Sequence, residues 1–251
     1  MIILNLVFIC LLGFIVGSFF NVVGLRIPNN ESIVYPGSHC TTCDRNLNWY
    51  ELIPVFSWIF QKGKCRGCQT KISALYPVTE LSTAILFTIS PLVVGWSKEL
   101  LVSWSLISLL IIVTVSDIKY MIIPDKVLLF FAPIFIILRI FIPLDPWWDP
   151  VAGFALGFGL LFLIAVVSKG GMGGGDIKLM GVLGIVLGWK ASLLAFMLAT
   201  LFGAVLGVTG LALKLVKRGQ PIPFGPYIVL GTLVSYFFYH EIINWYFQLM
   251  N

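Results

Sequence analysis

Gly170-Gly171-Met172-Gly173-Gly174-Gly175-Asp176-Ile177-Lys178 lies between two long apolar runs. Five glycines in six residues leave the backbone without Cβ atoms, which allows unusual φ/ψ and a close approach by another backbone. Asp176 follows at once, and then an apolar run resumes. A carboxylate at the edge of a membrane is expensive to keep and marks a functional site. The plainer reading is a polar loop between two helices, with Asp176 as the N-cap of the second. The rest of the chain weighs between them.

Outward from that stretch, 59% of the 251 residues are hydrophobic and only 11% are charged. Soluble domains carry roughly 25% charge. The apolar residues come in runs of about 20, the length that crosses a bilayer as a helix. The short alternating segments of a membrane β-barrel are missing. The chain therefore reads as an all-α polytopic membrane protein, with the lipid bilayer as its surroundings and no nucleic-acid partner. The spans are expected at Ile2 to Leu25, Tyr76 to Gly95, Leu100 to Ser116, Val127 to Ile142, Val151 to Val167, Ile177 to Leu187 or a little beyond, and Ala191 to Leu213. An eighth follows Tyr227 and ends near Trp245. The first run has no basic segment before it and no small-residue cleavage site after it, so it is expected to be a retained span.

Eight spans put both termini on one side. The loops after spans one, three, five and seven hold 13 of the 16 Lys and Arg residues, counting Lys178 at the start of span six. The opposite loops hold only Lys98 and Lys190, and Arg139 lies within a span. Basic loops face the cytoplasm. The count thus predicts termini outside the cytoplasm, with Asp117, Asp125, Asp176 and the loop after span one at the cytoplasmic face. In span one, Gly17, Ser18, Asn21 and Gly24 share a helix face, and small residues so spaced indicate helix packing before a ligand site. Cys10 reads as a buried apolar filler. Glu80, one turn inside span two, is open between snorkelling, pairing with a basic group and lining a site.

The loop of about 50 residues after span one carries Cys40-Thr41-Thr42-Cys43 and, 21 residues on, Cys65-Arg66-Gly67-Cys68. Two C-x2-C knuckles can complete a tetrahedral four-thiolate site. In a reducing compartment zinc thiolates are favoured over disulfides. With no open position for water, such a zinc is structural. It would fold a loop too small for its own core. His39 neighbours Cys40 as an alternative ligand.

Asp117 closes span three and Asp176 opens span six. Two carboxylates that approach closely share a proton. One can then act as base on a water while the other protonates a scissile carbonyl. Helix ends predict an asymmetry: Asp176 at an N-terminus is the resting base, and Asp117 at a C-terminus the resting acid. Between Asp117 and the next helix, Pro124 interrupts the chain and makes a short turn ahead of Asp125.

Gly173-Gly174-Gly175-Asp176 fits the G-x-G-D signature of membrane-embedded aspartic proteases. The whole chain resembles the bacterial prepilin peptidases, the type IV leader peptidase family. Gly17 to Val23 with Arg26 and Pro28 resembles the family's opening. The paired cysteine loop with Pro54, Gly63, Ile72, Tyr76, Pro77 and Glu80 resembles its zinc loop. Asp117 through Pro124-Asp125 resembles the first catalytic block, Gly171 to Lys178 the second, and Pro223-Phe224-Gly225-Pro226 the closing motif. The resemblance implies Asp117 and Asp176 as the catalytic pair, with Gly173, Gly175, Lys178, Pro124 and Asp125 in support. It implies removal of a short basic leader, after a glycine, from type IV pilin-like precursors at the cytoplasmic side of the bacterial inner membrane. It further implies N-methylation of the new terminus from S-adenosylmethionine. The chain is expected to divide into residues 1–98, carrying the cysteine loop (about 26–75) and the methyltransferase part, and a six-span peptidase part, 99–251. The alternatives are a proton-coupled transporter, a membrane scaffold acting through its zinc loop, and a different G-x-G-D protease.

Overall fold

The computed structural model describes residues 2–214 and 222–250. All the described secondary structure is helical apart from isolated bridges. The chain forms two compact units, residues 1–96 and 97–251.

In the first unit, α1 (Ile2–Arg26) packs antiparallel to α3 (Leu75–Val93). The small face of α1 makes that contact. A Cβ on Gly13 would lie 2.6 Å from the Ala84 backbone, and one on Gly17 only 2.9 Å from Thr83. Asn21 extends the seam: its amide donates to the Tyr76 carbonyl at 3.2 Å, and its Oδ1 accepts from the Thr79 hydroxyl at 2.6 Å. Side-chain hydrogen bonds across apolar helices hold such pairs together. The expected packing role of this face is what the structure has. Cys10 is half-buried, not the fully buried filler expected. Between the two helices lie a 3₁₀ turn, Trp49–Leu52, and the short α2, Phe56–Phe60. Arg26 ends α1 and gathers the following segment by donating to the carbonyls of Ser32, Pro36 and Gly37 at 2.7–3.1 Å.

The second unit comprises α4 (Glu99–Tyr120), α5 (Asp125–Phe141), α6 (Asp149–Val167), α7 (Gly174–Ala212) and α8 (Gly225–Met250). Its core is built on α4, where Leu106, Ile107, Leu109, Leu110 and Val113 are fully buried. A helix apolar on every side is one that other elements surround. α7 is two helices joined at Gly188, whose φ of 75° suits a residue without Cβ. The sixth and seventh expected spans are thus halves of one broken element. The first half, Gly174 to Leu187, rises only about 21 Å at 1.5 Å per residue. The break has its own partners. Asp149, at the start of α6, accepts the Trp189 N–H at 3.1 Å. The Val186 carbonyl accepts two bonds from Arg139, at 2.7 and 3.0 Å.

The helices α1, α3, α4, α6 and α7 are each long and apolar enough to cross a membrane. That pattern describes a multi-pass membrane protein, and a count of eight spans also needs α5, α8 and both halves of α7. The basic loop from Lys214 loses Lys217 and Arg218 to the region outside the described residues, as the closing motif's flank loses Pro221.

Candidate active site

Asp117 does not end α4. The helix runs three residues further, to Tyr120, and closes on Met121 in the left-handed conformation. Asp117 is therefore inside the last turn and only 5% exposed. Its Oδ2 accepts a hydrogen bond from the backbone N–H of Gly225 at 2.9 Å. Gly225 is the first residue of α8, so the carboxylate lies at a helix N-terminus as well as in a C-terminal turn. This second helix end opposes the first at Asp117 and reduces the expected helix-end asymmetry between the two aspartates.

Asp176 is the third residue of α7, and Gly173 is the N-cap. The carboxylate folds back over Gly173, where an added Cβ would lie 2.9 Å from its Oδ2. Asp176 thus stands inside the first turn, and not at the N-cap position itself. It is half-buried, and the Asp117 carboxylate is close enough to act on it electrostatically.

The glycines between the apolar runs now have distinct reasons. A Cβ on Gly173 would come within 2.9 Å of Asp176 Oδ2. One on Gly175 would come within 2.9 Å of Ile123 Cβ, in the turn that follows α4. One on Gly174 would meet nothing within 4 Å. The G-x-G spacing therefore keeps one position clear for the carboxylate and one for the turn carrying Asp117's helix. Pro124 caps α5, and Ser116 donates to the Ile122 carbonyl, which folds that turn. Asp125 and Lys178 form an exposed ion pair at 2.7 Å, joining the start of α5 to the first turns of α7.

The first unit holds a separate centre. The sulfurs of Cys40, Cys43, Cys65 and Cys68 all lie within 4.8 Å of one another, and Cys40 and Cys68 are 3.7 Å apart. Tetrahedral thiolates at about 2.3 Å from zinc are roughly 3.8 Å apart, so the set fits a four-thiolate ion. Both knuckles fold alike. Cys40 N–H donates to Arg45 O and Asp44 N–H to Cys40 O; Cys65 N–H donates to Thr70 O and Gln69 N–H to Cys65 O, all at 2.9–3.0 Å. The residue after each second cysteine, Asp44 or Gln69, has φ above 50°. The backbone N–H groups of Cys68 and Gly67 pull the Cys65 thiol down to about 6, and Thr70 lowers Cys68. His39 lies outside the cluster, with Nδ1 3.0 Å from the Gly37 carbonyl. Arg45 reaches from the first knuckle to Glu51 at 2.7 Å and holds its carboxyl below the usual range. Glu80, whose role was open, is buried and accepts the Val55 N–H at 2.7 Å, tying the loop to α3.

Sequence reasoning missed three partnerships. The Gly225 N–H on Asp117 was hidden in a motif read only as a resemblance. Glu99 grips Arg139 through two 2.9 Å contacts and accepts the Tyr236 hydroxyl at 2.8 Å. Asp149 caps the broken α7.

Residues 11–94 match the Bacterial Peptidase A24 N-terminal domain, and residues 104–208 match the Type IV leader peptidase family. A prepilin leader peptidase/N-methyltransferase of Bacillus subtilis is 44% identical over 94% of this chain and 96% of its own length. Proteins of the same name from Aeromonas salmonicida and Pseudomonas aeruginosa are 33% and 31% identical, over 94% and 95% of this chain and 91% and 92% of theirs. No solved structure gives a significant match.

Proposed function

The chain belongs to the type IV leader peptidase family, and on that premise we propose that it cuts the leader from prepilin-like precursors with Asp117 and Asp176 and methylates the new N-terminus. What supports the reading is that Asp117 lies near enough to Asp176 to act on its charge, with Asp117 taking the Gly225 N–H and Asp176 folded over Gly173. One carboxylate takes a proton from water as the oxygen attacks the scissile carbonyl; the other gives its proton to the carbonyl oxygen. Collapse of the tetrahedral species breaks the C–N bond, and the amine leaves with the proton returned by a carboxyl. The products are a leader ending in a carboxylate after glycine and a precursor with a free amine. Asp125, neutralised by Lys178, supports the geometry from outside the pair.

The second activity draws its methyl group from S-adenosylmethionine. The glycine stretch opens a helix and follows no strand, so it is no dinucleotide-type cradle, and no step is derived through that donor. The four cysteines fit zinc as a structural ion that orders the 27–74 loop. The Lys and Arg distribution supports a cytoplasmic orientation in the bacterial inner membrane. The transporter and scaffold alternatives draw no support from the family.

The test is cleavage of a pilin-like precursor in membranes, both products read by mass, for wild type, Asp117→Asn, Asp125→Asn and Asp176→Asn. The 117 and 176 variants should lose cleavage and still methylate a pre-cut substrate. Cutting by all three variants refutes the aspartate mechanism.

A further inference from the structure

A cavity of about 350 Å³ opens in the second unit among α6, α7 and the residues that lead into α7 and α8. Phe224 forms one wall, and the next residue is the Gly225 that holds Asp117. Met172 forms another, one residue ahead of the Gly173 that Asp176 folds over. Ile164, Phe196, Ala204 and Ile222 add further apolar lining, with Thr200 and Tyr227 beside them. Gly203 leaves room opposite: a Cβ there would only touch the rings of Phe224 and Tyr227, at 3.5 Å. The volume falls in the range of formed ligand sites, roughly 300–1,000 Å³.

The chemistry of the walls narrows the occupant. They carry no charged side chain. A sulfonium amino acid, or any other zwitterionic cofactor, would enter with its charges unpaired, which is costly. An apolar side chain loses nothing there and gains by leaving water. Distance narrows it further. Consecutive Cα atoms are about 3.8 Å apart, so Phe224 and Met172 stand one residue from the groups that position the dyad.

We propose that this cavity is a substrate subsite, taking one large apolar side chain of the precursor within the first helical turn after the scissile bond. The proposal rests on the peptidase reading above, and it makes Gly203 and Phe196 specificity-determining. The occupied position sets which precursors are cut fast, because mismatched volume at a packed apolar site lowers transition-state binding.

The experiment narrows the cavity and then shrinks the substrate. Gly203→Leu and Ala204→Leu, from adjacent wall positions, are assayed for kcat/KM against one pilin-like precursor and a set in which each of the first four residues after the bond is changed to alanine. Both variants should cut the parent precursor at least about tenfold more slowly than wild type. At one substrate position the alanine form should recover at least half of that loss. Recovery with the small substrate also shows that the variants are folded. If both variants lose or keep activity equally on every precursor, the subsite proposal is refuted while the peptidase reading stands. Photocrosslinking from position 203 that captures a lipid acyl chain and never the precursor would likewise refute the subsite alone. A wild-type enzyme that cuts none of the set refutes the peptidase reading itself.

Discussion

Replacing Gly225 by alanine should disable the dyad without unfolding the protein. The new Cβ would stand 2.6 Å from Asp117 Oδ2 and 3.0 Å from its Cγ, where ordinary contact begins at 3.4 Å. About 0.8 Å must be found, and the nearest obstructing atoms all belong to the Asp117 side chain. The carboxylate must rotate or withdraw, and it gives up the 2.9 Å bond from Gly225 N–H. A hydrogen bond to a charged group contributes roughly 1.5–3 kcal/mol. A displacement near 1 Å at a reacting group costs about a hundredfold in rate, or roughly 2.7 kcal/mol of barrier. The two routes agree, so kcat should fall about a hundredfold with little change in KM. Gly174→Ala is the matched comparison. Its Cβ meets nothing within 4 Å, and alanine in a helix is worth up to about 1 kcal/mol over glycine. It should cut at the wild-type rate and melt no lower. The assay is precursor cleavage in detergent-solubilised enzyme, with thermal unfolding run beside it. A Gly225→Ala enzyme that is folded and cuts within threefold of wild type would refute the claim that this contact positions Asp117.

Chelation, or Cys65→Ser, should release one equivalent of zinc and make the 27–74 loop protease-sensitive while residues 97–214 stay protected, since metal binding in small cysteine sites is also folding energy; retained protection after metal loss would count against a structural ion. Arg139→Leu removes one partner of an ion pair whose arginine is only 4% exposed. It leaves Glu99 with the Tyr236 hydroxyl but no ion-pair partner among the described residues, and should destabilise the second unit by about 3–5 kcal/mol, read as a fall in unfolding temperature with kcat per folded molecule unchanged. Asp125→Asn breaks a pair whose side chains are half-exposed, worth roughly 0–1 kcal/mol, and should slow cleavage less than tenfold; a loss as complete as that of Asp117→Asn would place it in the dyad.

What was legible came from local patterns. Runs of apolar residues mark helices by length alone, and the two C-x2-C knuckles mark a metal site because each pair must grip one side of one ion. The glycine stretch announced a close approach, although which atoms approach which glycine depends on Ile123, 52 positions earlier. Partnerships across longer separations were not readable. Arg139 could be placed within a span but not paired, because Glu99 is 40 residues away, and the Tyr236 hydroxyl that shares Glu99 is 137 from it. The break in α7 was readable to within a few residues. Lys190 brackets it between Leu187 and Ala191, and the φ of Gly188 with the Asp149 carboxylate on the neighbouring helix shows which residue gives way.

The largest revision concerns the balance between the two aspartates. Read from helix ends in sequence, Asp176 had the favourable pole and Asp117 the unfavourable one. In the fold, the first residue of α8 supplies Asp117 with a helix N-terminus, as α7 supplies Asp176. A helix end acts with about 0.3–1 kcal/mol on a neighbouring charge, and the C-terminal turn of α4 opposes α8 by a similar amount. What remains is smaller than the 1.36 kcal/mol that separates protonation states by one pKa unit. Backbone dipoles therefore do not assign the proton to either residue, and the pair titrates as a unit whose acid and base are chosen when water and carbonyl arrive. Base and acid are both needed in the step, so Asp117→Asn and Asp176→Asn should each lose cleavage.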